Sequence, residues 1–189
     1  MDVWLVGERG FTIDQLMAVA GQRVAEVAFE LSAERELTRI VLLIGPGNNG
    51  GDAVVAGEHL RRARLDVVDV RPLAGDVTPP LDAATLVIDG LFGVGLSREI
   101  AGVTRSAVEA VGDSPATVLS IDVPSGLCAT TGTGDVVVRS DVVVTFVGPK
   151  AGFFLGRGPD LVRDWRAVDI GFPIEEAERW VTARRAGAG

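Results

Sequence analysis

Residues 45–52 read GPGNNGGD, residues 89–98 read DGLFGVGLSR and residues 122–126 read DVPSG. They supply Asn48, Asn49 and Asp52, then Asp89 and Arg98, then Asp122 and Ser125. Exposed glycine backbone can cradle phosphate, and an arginine fork can pair with it. Carboxylate, amide and hydroxyl oxygens together suit a hard cation, which takes several oxygen ligands. A carboxylate at a strand end, as Asp122 would be, can act as general acid or base. Gly45-x-Gly47-x-x-Gly50 also satisfies the dinucleotide fingerprint, whose glycines allow a tight turn and close backbone approach to a pyrophosphate. The plain alternatives are that Asp52 only caps a helix and that Asp89 and Asp122 only form turns. Two such acids ending neighbouring strands favour a site.

The elements that would position these residues follow from hydrophobic periodicity. Thr12-Ile13-Asp14-Gln15 has the form of a capping box. From it Leu16, Ala20, Val24, Val27, Ala28 and Leu31 recur at helical spacing, which predicts a helix to about residue 34. Residues 39–44 are apolar nearly throughout, as a strand buried on both faces should be. After the glycine turn the pattern predicts a helix over 52–64, then strands over 65–70, 84–88 and 116–121, with a helix over about 103–111 before the last of these. Further strands are expected over 133–138, 141–147 and 166–170, and a short helix from Glu175. This alternation predicts one doubly wound domain, 1–189, a Rossmann-like three-layer α/β/α sandwich with a mostly parallel sheet. The three loops would then meet at the carboxyl ends of the strands, where open parallel sheets bind ligands.

Composition narrows the partners. The chain has 189 residues, a formal net charge of −8 and a pI near 4.7, so its field repels nucleic acid and anionic membrane surfaces. A small phosphorylated ligand is still allowed, because local N–H groups bind phosphate regardless of net charge. One cysteine, Cys128, excludes an intrachain disulfide and reads as a small semi-buried residue. The opening MDVWLVGERG has no signal-peptide pattern, and no apolar run approaches the ~18 residues of a membrane span. A cytoplasmic protein is expected. His59 reads as a packing or surface residue, and Arg61-Arg62 and Arg184-Arg185 as solvated faces.

No Lys-Ser/Thr follows the glycine loop, and no G-x-S-x-G, HExxH or CxxC is present, which excludes a Walker site, a hydrolase elbow and the common zinc sites. Asp66 or Asp69 could be the ribose-binding acid of a nicotinamide-dependent dehydrogenase. Hydride transfer does not call for the Asn48-Asn49 pair, so the pair needs another explanation.

GPGNNGGDAVVAGEHL, DGLFGVGLSR, SIDVPSGL and VTFVGPKAGFFLGRGPD resemble the signature blocks of the NAD(P)H-hydrate epimerase family, the YjeF N-terminal domain, and FTIDQLMAVAG resembles that family's first long helix. The resemblance implies a repair isomerase: NADH and NADPH become hydrated at nicotinamide C6, and the epimerase interconverts the R and S hydrates. A stereospecific ATP- or ADP-dependent dehydratase then restores the cofactor. That dehydratase is often fused C-terminally, so a separate partner enzyme is implied here, and the family suggests a homodimer. Carried over by position, Asn48, Asn49, Gly50, Gly51 and Asp52 would contact the substrate, and Asn49, Asp89 and Ser125 would ligate a potassium ion. Gly93, Val94, Gly95, Leu96, Ser97, Arg98 and Glu99 would wrap the phosphates. Asp122 would lie at the reacting ring, where it is expected to protonate the C6 hydroxyl so that water leaves through an iminium-like intermediate and returns on either face.

The chain departs from the family pattern at Ala53, where glycine is usual, at Glu99, where proline is common, and at Cys128, where aspartate is frequent. The short N-terminus would leave the usual opening helix incomplete. Relatives of this domain also serve as non-catalytic scaffolds; the intact Asn49, Asp89 and Asp122 argue for an enzyme. Lys150 matches a lysine of the last block and is assigned no role.

Overall fold

A computed structural model describes residues 12–96 and 99–171. The first helix, α1 (Ile13–Glu34), begins as the capping box requires. The Thr12 hydroxyl accepts from Gln15 N at 3.1 Å and the Gln15 side chain accepts from Thr12 N at 2.9 Å. Its apolar stripe, including Val24, Ala28 and Leu31, is buried.

Six strands follow: β1 (Arg39–Ile44), β2 (Asp66–Val70), β3 (Thr85–Gly90), β4 (Thr117–Ile121), β5 (Val142–Phe146) and β6 (Trp165–Val168). They form one sheet in the order β2-β1-β3-β4-β5-β6, with every pairing parallel. The connections put α2 (Asn48–Arg62) between β1 and β2 and α3 (Gly102–Gly112) between β3 and β4, and a single-turn helix, α4 (Gly158–Leu161), precedes β6. Alternate residues of each central strand face opposite layers. Ile40, Leu42, Leu86, Ile88 and Leu119 pack with α1 and α2, whereas Val41, Leu43, Val87 and Val118 pack with Val108 and Val111 of α3. The result is the expected three-layer α/β/α arrangement. Each fully buried aliphatic side chain contributes about 1.5–3 kcal/mol, so the sheet is a rigid platform for the loops at its carboxyl edge.

Two expectations are corrected. The helix after the glycine turn starts at Asn48 rather than Asp52, with Gly47 as N-cap. Asp52 therefore lies inside α2, and Asn48 and Asn49 form its first turn. Residues 133–138 make no strand. They fold back over the DVPSG turn instead: Val138 N donates to Ser125 O at 2.9 Å and Cys128 N to Thr133 O at 2.8 Å. Local bonds to that turn satisfy the backbone that a sheet would otherwise have paired. The residues of the opening segment, and the helix expected from Glu175, lie outside the described residues.

Candidate functional site

The sheet order reverses direction between β1 and β3, the two strands whose carboxyl ends carry GPGNNGGD and DGLFGVGLSR. In open α/β sheets this switch point opens the ligand crevice. Register places Ile44 beside Gly90 and Asp89 beside Ser120, so the first two loops and the end of β4 emerge side by side. The glycines make the approach possible: a side chain on Gly45 would overlap the Leu91 carbonyl, and one on Gly93 would overlap the Asn49 carboxamide. The β3 loop thus lies directly on Asn49.

Asn49 also reaches the third loop, donating from Nδ2 to Ile121 O at 2.7 Å. That carbonyl accepts Val123 N at 2.7 Å as well, closing a three-residue turn around Asp122, whose φ is +62°. The next strand repeats the device. Gly148 N donates to Phe146 O at 2.8 Å around Val147, whose φ is +69°. Left-handed backbone at an aspartate is uncommon and at a β-branched valine is an outlier, and such strain collects at functional sites when the surroundings enforce it. The Asp122 turn points its carboxylate at the β5 end. There Oδ1 receives Phe146 N at 3.2 Å and lies 2.8 Å from Lys150 Nζ, and the Thr145 hydroxyl is shared between Oδ1 at 3.3 Å and Gly148 O at 3.2 Å.

Asp89 is handled differently. It is fully buried, and its partners are neutral: Oδ2 accepts the Ser120 hydroxyl at 2.8 Å and Ser125 N at 2.9 Å, and Oδ1 accepts the Ser125 hydroxyl at 2.6 Å and Leu91 N at 3.3 Å. Burial pushes its carboxyl above the ordinary aspartate range, against the opposing hydrogen bonds of Ser125, Ser120 and Leu91. Ser125 Oγ is also 2.9 Å from Phe92 N, whose hydrogen it accepts, and 3.1 Å from Phe92 O. Its single proton goes to the nearer carboxylate.

The match to known proteins agrees with this geometry. The family model described as "YjeF-related protein N-terminus" matches residues 13–78 and 73–152. The chain is 37% identical over 198 residues to an NAD(P)H-hydrate epimerase of Microbacterium testaceum, covering 89% of this chain and 76% of that protein. It is 31% identical over 205 residues to an NAD(P)H-hydrate epimerase of Pirellula staleyi, covering 92% of this chain and 89% of that protein. A bifunctional NAD(P)H-hydrate repair enzyme of Hyperthermus butylicus is 36% identical over 197 residues; 88% of this chain is covered, and the match spans 36% of that longer protein. The chain belongs to the YjeF-related N-terminal family. The crystal structure of yeast ynu0, YNL200c, shares the fold, with a TM-score of 0.70 and 22% identity over 90% of this chain and 89% of that one.

Within this YjeF-type site, Gly50 and Asp52 are buried, Asn49 and Gly51 are half-buried, and Asn48 is exposed at the helix start. Gly93 and Leu96 are half-buried, Val94, Gly95 and Glu99 are exposed, and Leu96 N closes the β3 loop onto Gly93 O at 3.2 Å. Ser97 and Arg98 lie outside the described residues. Cys128 is exposed rather than semi-buried. His59 is half-buried and lines a shallow cavity of about 310 Å³ with Phe29 and Glu26, between α1 and α2 and apart from the site. Arg61 and Arg71 both bond Asp69, and Asp66 pairs with Arg39 at the amino end of its strand. Asp66 is thus far from the glycine turn, and Asp69, although next to the carboxyl end of β2, has its carboxylate held by two arginines. Lys150, which the sequence reading matched to the fourth block without assigning it a role, lies four residues past β5 and against Asp122.

The donor set fits a potassium ion. Among the described residues no three or more of His, Cys, Asp and Glu come together. Asp89 is a buried carboxylate with no cationic side chain among its bonded partners. Asn49 Oδ1 carries no hydrogen bond from a described residue, while its Nδ2 is anchored on Ile121 O. One charge with neutral oxygens around it suits a monovalent cation.

Proposed function

We propose that this chain is an NAD(P)H-hydrate epimerase. It interconverts the R and S hydrates of NADH and NADPH and works with an ATP- or ADP-dependent dehydratase. The observation that carries the reading is the bond from Asn49 to Ile121 O, which joins the start of α2 to the turn holding Asp122. It sets a phosphate-binding element and a reactive carboxylate on one rigid junction. Gly47 caps α2 with no side-chain hydrogen bond, so the first N–H groups of the helix, at its positive end, are available to a pyrophosphate. The loop of Gly93 to Glu99 would close over the same phosphates.

Asn49, Asp89 and Ser125 would hold potassium. When bound, the ion would offset the buried charge of Asp89 and tie the three loops together. Asp122 would handle the proton at nicotinamide C6. No helix of the described residues is long and apolar enough to cross a membrane, and we propose a cytoplasmic enzyme that pairs as a homodimer.

The test mixes the protein with pure R-hydrate and an S-specific dehydratase and follows NADH recovery. Recovery faster than spontaneous epimerisation is the expected result. A rate equal to the spontaneous one rejects the epimerase in favour of a binding module, and oxidation of NADH with an added carbonyl substrate would restore the dehydrogenase reading.

A further inference from the structure

Lys150 lies where the two strained turns meet. Its ammonium is 2.8 Å from Asp122 Oδ1, 3.0 Å from Phe146 O and 3.4 Å from Gly148 O. The two carbonyls accept hydrogen bonds from the ammonium, and the Asp122 carboxylate pairs with it as an ion. Phe146 and Gly148 flank Val147, so Lys150 braces the turn after β5 from within and grips the turn after β4 through its side chain. Both partners are largely shielded, with side-chain exposures of 22% for Lys150 and 13% for Asp122. Charges so placed are less screened than surface pairs.

The two oxygens of Asp122 are therefore unequal. Oδ1 takes Lys150, Phe146 N and the Thr145 hydroxyl, while no described residue donates to Oδ2. We infer that Lys150 is a positioning residue that ties down Oδ1 of the Asp122 carboxylate, leaving Oδ2 to accept the proton of the hydrate's C6 hydroxyl. This rests on the epimerase reading and reverses the direction in which Asp122 was expected to move the proton. An ammonium already bonded to two carbonyls and paired with Asp122 is turned toward the protein rather than toward a leaving hydroxide.

The hydrate is a carbinolamine, and a base opens such a centre without expelling water. The hydroxyl proton passes to Oδ2, the C6–O bond becomes a carbonyl and the C6–N1 bond breaks. Its electron pair passes to N1, which is conjugated with the ring carboxamide and takes the proton back from Oδ2. Rotation about the C5–C6 bond turns the other carbonyl face to N1. Closure retraces the steps, with the proton returning through Oδ2 to oxygen. Nothing is oxidised or consumed, and the C6 oxygen never leaves the molecule.

The experiment follows hydrate labelled with heavy oxygen at C6 through a single turnover in ordinary water, alongside Lys150→Met and Lys150→Arg. Wild-type turnover itself tests the epimerase reading, so the label tests only this inference. The expected results are retention of the label in the epimerised product, a kcat lower by roughly 100-fold in Lys150→Met with KM and hydrate binding little changed, and partial recovery of kcat in Lys150→Arg. Solvent oxygen in the product at each epimerisation, or wild-type kcat in Lys150→Met, would overturn it. Should Lys150→Met fail to fold, as read by circular dichroism, the label on the wild-type enzyme still decides.

Discussion

Asp89 and Asp122 end neighbouring parallel strands, one residue type in nearly the same place, and the fold gives them opposite surroundings. Asp89 is sealed in the sheet edge among hydroxyls and N–H groups, and burial raises its carboxyl above the ordinary range. Asp122 sits on a left-handed turn at the crevice, paired with an ammonium, and no described residue donates to its second oxygen. Two carboxylates given different environments acquire different duties. Asp89 can organise loops and balance a cation but has no way out to a substrate. Asp122 is the more exposed of the two and, on the proposed reading, the one that meets the substrate. The comparison predicts that changes around Asp122 act on rate, and changes around Asp89 on stability and cation dependence.

The strongest test of that division is Asp122→Asn. It keeps the size of the side chain and removes its proton chemistry, so kcat in the coupled epimerase assay should fall by roughly 10²–10⁴-fold, with the melting temperature near that of the wild type. Retained turnover would remove Asp122 from the mechanism and dissolve the contrast.

Asp89→Ala should do the reverse. It strands the Ser120 and Ser125 hydroxyls and the N–H groups of Leu91 and Ser125. Buried donors without partners cost about 1–3 kcal/mol each before the structure relaxes, so a net loss of ~3–5 kcal/mol is expected. Thermal unfolding should register this as a drop on the order of 10 °C. Replacing choline chloride with potassium chloride should raise the melting point of the wild type and leave that of Asp89→Ala where it is. Equal responses to potassium would separate Asp89 from cation binding.

Much of this was legible in the sequence, and the gaps have physical causes. The capping box fixed the start of α1, and unbroken apolar runs located β1 and β3, because those signals are local. The Asn48-Asn49 pair marked the site, yet its placement on a helix was hidden, since glycine and asparagine favour turns and only the β3 loop lying against them shows why the helix begins so early. Residues 133–138 carry strand-like valines, but their backbone partners belong to the DVPSG turn, a non-local competition that periodicity cannot see. Lys150 was present in a recognisable block, and its role depends on a contact 28 positions away in the chain, to Asp122. The family match supplied the reaction; the contrast between the two acids required coordinates.

Gly93→Ala probes the junction between the two regions. Its methyl would enter the space of the Asn49 carboxamide, which must either move or lose its hold on Ile121 O. A shift of that size next to a site costs on the order of 10–100-fold in kcat/KM, and the potassium concentration needed for half-maximal activity should rise with it. A loss of activity with the potassium requirement unchanged would place Asn49 with the substrate alone.

The smallest effect sharpens the comparison most finely. Ser120 Oγ donates to Asp89 Oδ2 at 2.8 Å and lies 2.6 Å from Ser140 Oγ, and all three residues are buried. Ser120→Ala removes one of the four donors on Asp89 and leaves the Ser140 hydroxyl without this partner. The other three donors and every contact of Asp122 remain. The expected cost is about 1 kcal/mol, seen as a fall of about 2–4 °C in the melting temperature, with kcat unchanged. Asp122 has a shared hydroxyl donor in Thr145, 3.3 Å from its Oδ1 and 3.2 Å from Gly148 O. Thr145→Val deletes that donor while keeping the branched shape, and its loss should lower kcat more than it lowers the melting point. Similar rate losses in the two variants would mean that Asp89 also takes part in turnover, and the division between a structural acid and a reacting one would have to be redrawn.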